Sequence, residues 1–150
     1  MIREDEANGP AVSAGDAGPR AIRLHFTEPT HPFPEDGDDP LLDFLVRARG
    51  EFVNVEVSVR TWRGDGLDSF LAELAEDFRG WEGARTWGSL EHDLTLSAEH
   101  SPGGYVRLTW GLHDRPPSDE WHFAATTVHA AGEDMRRLAA DIRAFLASCP

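Results

Sequence analysis

Phe78-Arg79-Gly80-Trp81-Glu82-Gly83-Ala84-Arg85-Thr86-Trp87-Gly88-Ser89-Leu90-Glu91-His92-Asp93-Leu94 is the stretch where the chain changes its period. Before it, Leu67, Phe70, Leu71, Leu74, Ala75 and Phe78 recur at helical spacing, and Asp68, Glu73, Glu76 and Asp77 lie mostly off that stripe. That pattern predicts an amphipathic helix of about three turns. Asp65 is a candidate N-cap with Asp68 in the first turn, and Gly80 is a natural left-handed stop. After the stretch, apolar residues alternate with polar ones. Leu90, Leu94, Leu96 and Ala98 are expected on one strand face, and Val106, Leu108, Trp110 and Leu112 on one face of the next strand. A helix followed by alternating strands makes the fold α+β.

Upstream, Ile22, Leu24 and Phe26 alternate with Arg23 and His25, which predicts a strand. Thr27 to Pro40 reads as a loop, with four prolines and with Glu35, Asp36, Asp38 and Asp39 crowded together. Asp36-Gly37-Asp38-Asp39 lacks the ligand spacing of a calcium loop. Leu41 to Arg49 and Glu51 to Trp62 read as antiparallel strands joined at Gly50. Val53, Val55, Val57 and Val59 form the clearest apolar strand face in the chain. Downstream, Ser101-Pro102-Gly103-Gly104 is a hairpin turn, and Arg107 is expected across from the acidic face of the partner strand. Arg115-Pro116-Pro117-Ser118 is the next turn, and Trp121 to His129 the last strand. Met135, Leu138, Ala139, Ile142, Phe145 and Leu146 form the stripe of a closing helix, with Glu133 and Asp134 at its positive end.

The elements predict a twisted, mostly antiparallel sheet of about six or seven strands packed on two helices, in the order βββ-α-β-βββ-α. The alternative is a strongly curved half-barrel around the C-terminal helix. Residues 1–20 are acidic and poor in large apolar side chains, and read as a disordered tail before a single domain over residues 21–148.

The net charge of −13 repels phosphate backbones and anionic membranes, and favours a basic partner. Every basic residue is arginine. No apolar run approaches the roughly 20 residues of a membrane helix, and the acidic start has no apolar signal segment. The one cysteine, Cys149, has no partner for an internal disulfide. These features fit a cytoplasmic protein.

The seven histidines form no H-E-x-x-H or Cys/His cluster. His92 and His100 are expected on one strand face, too far apart to share a metal, and His122 and His129 on opposite faces of theirs. There is no G-x-S-x-G, no G-x-G-x-x-G and no phosphate-binding glycine loop. No catalytic residue, cofactor or metal site is therefore assigned. The candidate binding residues are Arg79, Trp81, Glu82, Arg85, Trp87 and Trp121, an aromatic platform with arginines able to grip a carboxylate, a ring or a protein anchor. In the bland reading the tryptophans are core residues with their N–H groups bound to backbone.

The run Phe78-Arg79-Gly80-Trp81-Glu82-Gly83, with Trp87, Ser89-Leu90-Glu91 and Asp93-Leu94, resembles a small actinobacterial family of uncharacterised proteins. Trp121 and Gly132-Glu133-Asp134-Met135-Arg136-Arg137-Leu138-Ala139 extend the likeness over about residues 41–147. Many members carry Gly-His-Val where this chain has Gly104-Tyr105-Val106, and the resemblance implies no activity. Size, charge and element order are also similar to bacterial toxin-immunity proteins, a fold-level analogy.

Three functions stay open. The leading expectation is a non-enzymatic binding protein, immunity-like, presenting an acidic surface to a basic protein. The second is a small-molecule-binding domain or enzyme with a Trp/Arg-lined pocket on the sheet face. The third is a self-associating structural module.

Overall fold

Nine strands and two helices are arranged as two antiparallel sheets around one core in the computed structural model, which describes residues 2–5, 9–16, 21–35, 37, 39–114 and 120–149. In order they are β1 (Ile2–Asp5), β2 (Gly9–Ala14), β3 (Arg23–Thr30), β4 (Leu41–Arg49), β5 (Asn54–Trp62), α1 (Leu67–Glu76), β6 (Ala84–Gly88), β7 (Leu94–Ser101), β8 (Tyr105–His113), β9 (His122–Ala130) and α2 (Glu133–Ala147). The first sheet has the order β1-β2-β3-β4-β5 and the second β6-β7-β8-β9. Every neighbouring pair is antiparallel. Two sheets thus stand where one of six or seven strands is expected, and the order βββ-α-β-βββ-α omits β1 and β2.

Period-2 alternation selects which side of each sheet is dry. In the first sheet, Val12, Phe26, Val46 and Val57 form one cross-strand row, and Ala14, Leu24, Ala48 and Val55 the next. In the second, Leu96, Trp110 and Ala125 form such a row. The helices add Leu67, Leu71, Leu74 and Ala75, then Met135, Leu138, Ala139, Ile142 and Phe145. All these faces converge on one cluster. At its centre the ring of Phe26 lies 5.6 Å from Trp110 and 6.2 Å from Phe145, so both sheets and α2 meet there. Edge-on ring contacts of this kind add about 0.5–1.5 kcal/mol each beyond area burial.

Two sequence expectations change at the N-terminal side. Gly9–Ala14 is a strand, and Val12 and Ala14 are buried, where composition reads as a disordered tail. Residues 1, 6–8 and 17–20 of that tail lie outside the described residues. The loop expected from Thr27 instead begins after Thr30. A register shift between Thr27 and Thr30, with Glu28 at φ 54°, lets β3 run past Pro29. A bulge takes up a residue that cannot donate to the ladder.

The link from β5 to α1 is a tight turn at Arg63–Gly66, with Arg63, Gly64, Asp65 and Gly66 all at positive φ. Thr61, fully buried, holds it: its hydroxyl donates to the Leu42 carbonyl at 2.8 Å and accepts the Gly64 N–H at 2.9 Å. A Cβ on Gly64 would come within 2.8 Å of Leu146, so only glycine lets this turn lie against α2. Asp65 is not the N-cap of α1. Gly66 occupies that position, without a side-chain cap. Glu99 and Arg107 are cross-strand partners, as the alternation requires.

The calcium-loop test falls partly on Asp36 and Asp38, and the turn Arg115–Ser118 entirely, outside the described residues. Among the described residues no helix is long and apolar enough to cross a membrane.

Candidate functional site

The second sheet turns one face to the core and leaves the other open. Thr86, Ser97, Thr109 and Thr126 form one row on the open face, and Gly88, Thr95, Gly111 and Ala124 the next. Small side chains there leave a cleft of about 490 Å³, bordered by Trp87, His92, His113 and His122. This size lies within the range of about 300–1,000 Å³ that small-molecule sites occupy. Among the described residues that line it there is no Asp, Glu or Arg. That is notable in a chain of which 27% is charged.

Register builds the histidine wall. His113 and His122 are direct cross-strand partners, and their rings stack with centroids 5.8 Å apart and planes 21° from parallel. The Thr95 hydroxyl meets His113 Nε2 at 2.8 Å and fixes that ring. Gly111 makes the contact possible, because a Cβ there would press on Thr95 Oγ1 and on His113 Nε2. His92 enters from the turn before β7 at φ 58°, and its ring lies where a Cβ on Gly88 would come, 2.9 Å from Cδ2. The expectation that His92 shares a strand face with His100 fails, since β7 begins at Leu94. Leu90 likewise belongs to the turn and is exposed.

A hydroxyl beside an imidazole is also half of a nucleophile–base pair. Among the described residues no group is seen on His113 Nδ1 as an orienting third member. The Thr95–His113 contact supplies a fixed polar edge instead. Among the described residues no group of three or more His, Cys, Asp or Glu is placed to hold a metal ion.

Of the six residues picked from sequence, Trp87 borders the cleft. Its indole N–H donates to the Asp65 carbonyl at 2.8 Å. Trp81 packs on the core and donates to the Ala98 carbonyl at 3.2 Å. Its ring is covered by the Arg85 guanidinium at 4.8 Å and flanked edge-on by His100 at 5.5 Å. Arg85 in turn pairs with Asp77. Arg79 lies over the exposed Phe78 ring, and Glu82 and Trp121 are exposed. The six thus do not form one platform; Trp81 and Arg85 satisfy each other. The cleft histidines carry no sequence signal, because their meeting depends on register across three strands and a turn.

Fold and cleft define a two-sheet α+β domain with a histidine- and hydroxyl-lined groove on one sheet. The chain belongs to DUF6228, a family of unknown function whose model matches residues 16–149. The matched span begins after β2. No curated protein and no solved structure matches the chain.

Proposed function

We propose that this domain binds a small, uncharged, planar polar molecule in the cleft on the second sheet. The observation that carries this reading is a described lining without Asp, Glu or Arg, in which the stacked His113–His122 pair shares the cleft with the hydroxyls of Thr95, Ser97 and Thr109 and with Gly88 and Gly111. Imidazole faces offer stacking, and hydroxyls and ring nitrogens offer both donors and acceptors. A cation would find no carboxylate among these described lining residues.

A screen of neutral heteroaromatic fragments by two-dimensional NMR tests it. Binders should shift the ring signals of His113 and His122 and the indole signal of Trp87, and His122→Ala should abolish those shifts. Fragments that bind only elsewhere, or none that bind, would sink the reading.

A second reading keeps the acidic surface. Phe78 is 49% exposed at the end of α1, with the exposed acids Glu73, Glu76, Asp77 and Glu82 near it in sequence. An aromatic anchor with an acidic rim suits a basic protein partner, immunity-like or otherwise. Co-purification at low salt that is lost both at high salt and on Phe78→Ala supports it. Retention by the Phe78→Ala protein argues against it.

A further inference from the structure

The outward face of the first sheet gathers positive charge in a chain of net charge −13. Arg23 on β3 and Arg49 on β4 are direct cross-strand partners, and so are His25 and Arg47 one pleat further on. Both pairs lie opposite the apolar rows, since Leu24 and Ala48 between them are buried. Like charges placed directly across a ladder destabilise it. Among the described residues the one acid in these two rows is Glu56, which accepts from Arg47 Nη2 at 2.8 Å. Among the described residues Arg23 and Arg49 have no ion-pair partner.

The donors are also incomplete. Arg23 Nε and Arg47 Nε are both cut off from solvent, and among the described residues neither has a hydrogen-bond acceptor. A buried, unmatched donor is costly, so these guanidinium groups are held with less compensation than their charge calls for. The side chain between them reports the same field. The His25 pKa is lowered, first by burial and then by Arg23, Arg49 and Arg47. Ser13 Oγ holds His25 Nδ1 at 2.9 Å and fixes the ring within the cluster.

We propose that Arg23, Arg47 and Arg49 form a binding site for a small dianionic oxyanion of the phosphate class. Three guanidinium groups against the single carboxylate of Glu56 leave a surplus of two positive charges, which a dianion neutralises. Guanidinium forks match the oxygen edges of such an ion. The site lies on the other sheet from the histidine cleft and does not depend on it.

Inorganic phosphate is the first probe, titrated at constant ionic strength while the arginine Nε–H signals are followed by NMR. Saturable shifts at Arg23 and Arg47 are expected, and Arg49→Gln should weaken binding at least about tenfold, the loss of one charge-assisted contact. Arg49 is exposed, so the variant folds. Without phosphate Arg49→Gln should melt higher than the parent, because it removes a like-charge pair. Phosphate should then raise the melting temperature of the parent but not of the variant. Phenyl phosphate distinguishes the sources: binding as tight as phosphate points to a phosphorylated molecule, and much weaker binding to the free ion. Shifts that grow without saturation and are matched by chloride, or undiminished binding by Arg49→Gln, would overturn the proposal.

Discussion

The indole N–H of Trp87 and the carboxylate of Asp65 are tied through one residue: Trp87 donates to the Asp65 carbonyl at 2.8 Å, and Asp65 Oδ2 accepts the Leu90 N–H at 2.7 Å. The turn that leaves the first sheet is thereby clamped to the strand that begins the second, across the whole of α1. Trp87→Phe keeps most of the ring and leaves the carbonyl without this donor. Urea unfolding should show a loss of about 1 kcal/mol. Asp65→Ala removes the acceptor for Leu90 and places alanine at φ 51°, so a larger loss of about 2 kcal/mol is expected. An Asp65→Ala protein as stable as the parent would mean that the clamp does not hold the sheets together.

Residues 9–14 allow a sharper test, because sequence and structure part company there. Val12 has 1% of its surface exposed and stands opposite Phe26. Val12→Asp would bury an unpaired carboxylate against an aromatic ring. We expect destabilisation of about 3 kcal/mol or more, read from the denaturation midpoint. A free tail would tolerate the change with no shift.

Val12 and Ala14 also show where sequence reading stops. Two small apolar residues in a run rich in Gly, Pro and acids give too weak a periodic signal to mark a strand. They are recruited by the apolar face that Leu24 and Phe26 already present. By contrast, Val57 and Val59 of β5 and most of both helix stripes state their own burial and lie where the patterns put them, whereas Phe78 falls beyond α1 and is exposed, and Val53 falls before β5. The same distinction governs the sites. Trp81 could be read as a core residue from its chemistry alone, and its N–H does bind backbone. The pairing of His113 with His122, or of Arg23 with Arg49, is set by register between strands, which local periodicity does not encode.

Acid should weaken the fold through two histidines. Trp110 Nε1 donates to Thr127 Oγ1 at 2.9 Å, and that hydroxyl lies 2.8 Å from His129 Nε2. The hydroxyl proton is free for the imidazole, so the network is complete with His129 neutral. Burial holds the His129 pKa below its ordinary 6.5 against the opposing pull of Asp134 and Asp16. The His25 pKa is lowered too, by burial and then by its three arginines. In the unfolded chain both take up protons near their ordinary value. As pH falls below about 6.5 the unfolded state therefore binds protons that the native state refuses, and stability is lost toward the depressed native values. The urea midpoint should be lower at about pH 5.5 than at about pH 7.5. His25→Asn should flatten part of that slope. A profile unchanged across this window would contradict the argument.

The cleft is tested most directly at Gly111. Its backbone is an ordinary strand, so alanine there brings no φ strain, only a methyl group directed at Thr95 Oγ1 and His113 Nε2. Those two atoms are 2.8 Å apart and would have to separate. Gly111→Ala should cost about 1–3 kcal/mol from crowding and end fragment binding in the cleft. Loss of binding alone could reflect loosening of β8, so His122→Ala is its partner experiment. His122 is exposed, and its truncation should change stability by no more than about 0.5 kcal/mol. If both variants lose fragment binding while His122→Ala melts with the parent, the cleft is the site. Full binding by the Gly111→Ala protein would place the ligand elsewhere on the molecule.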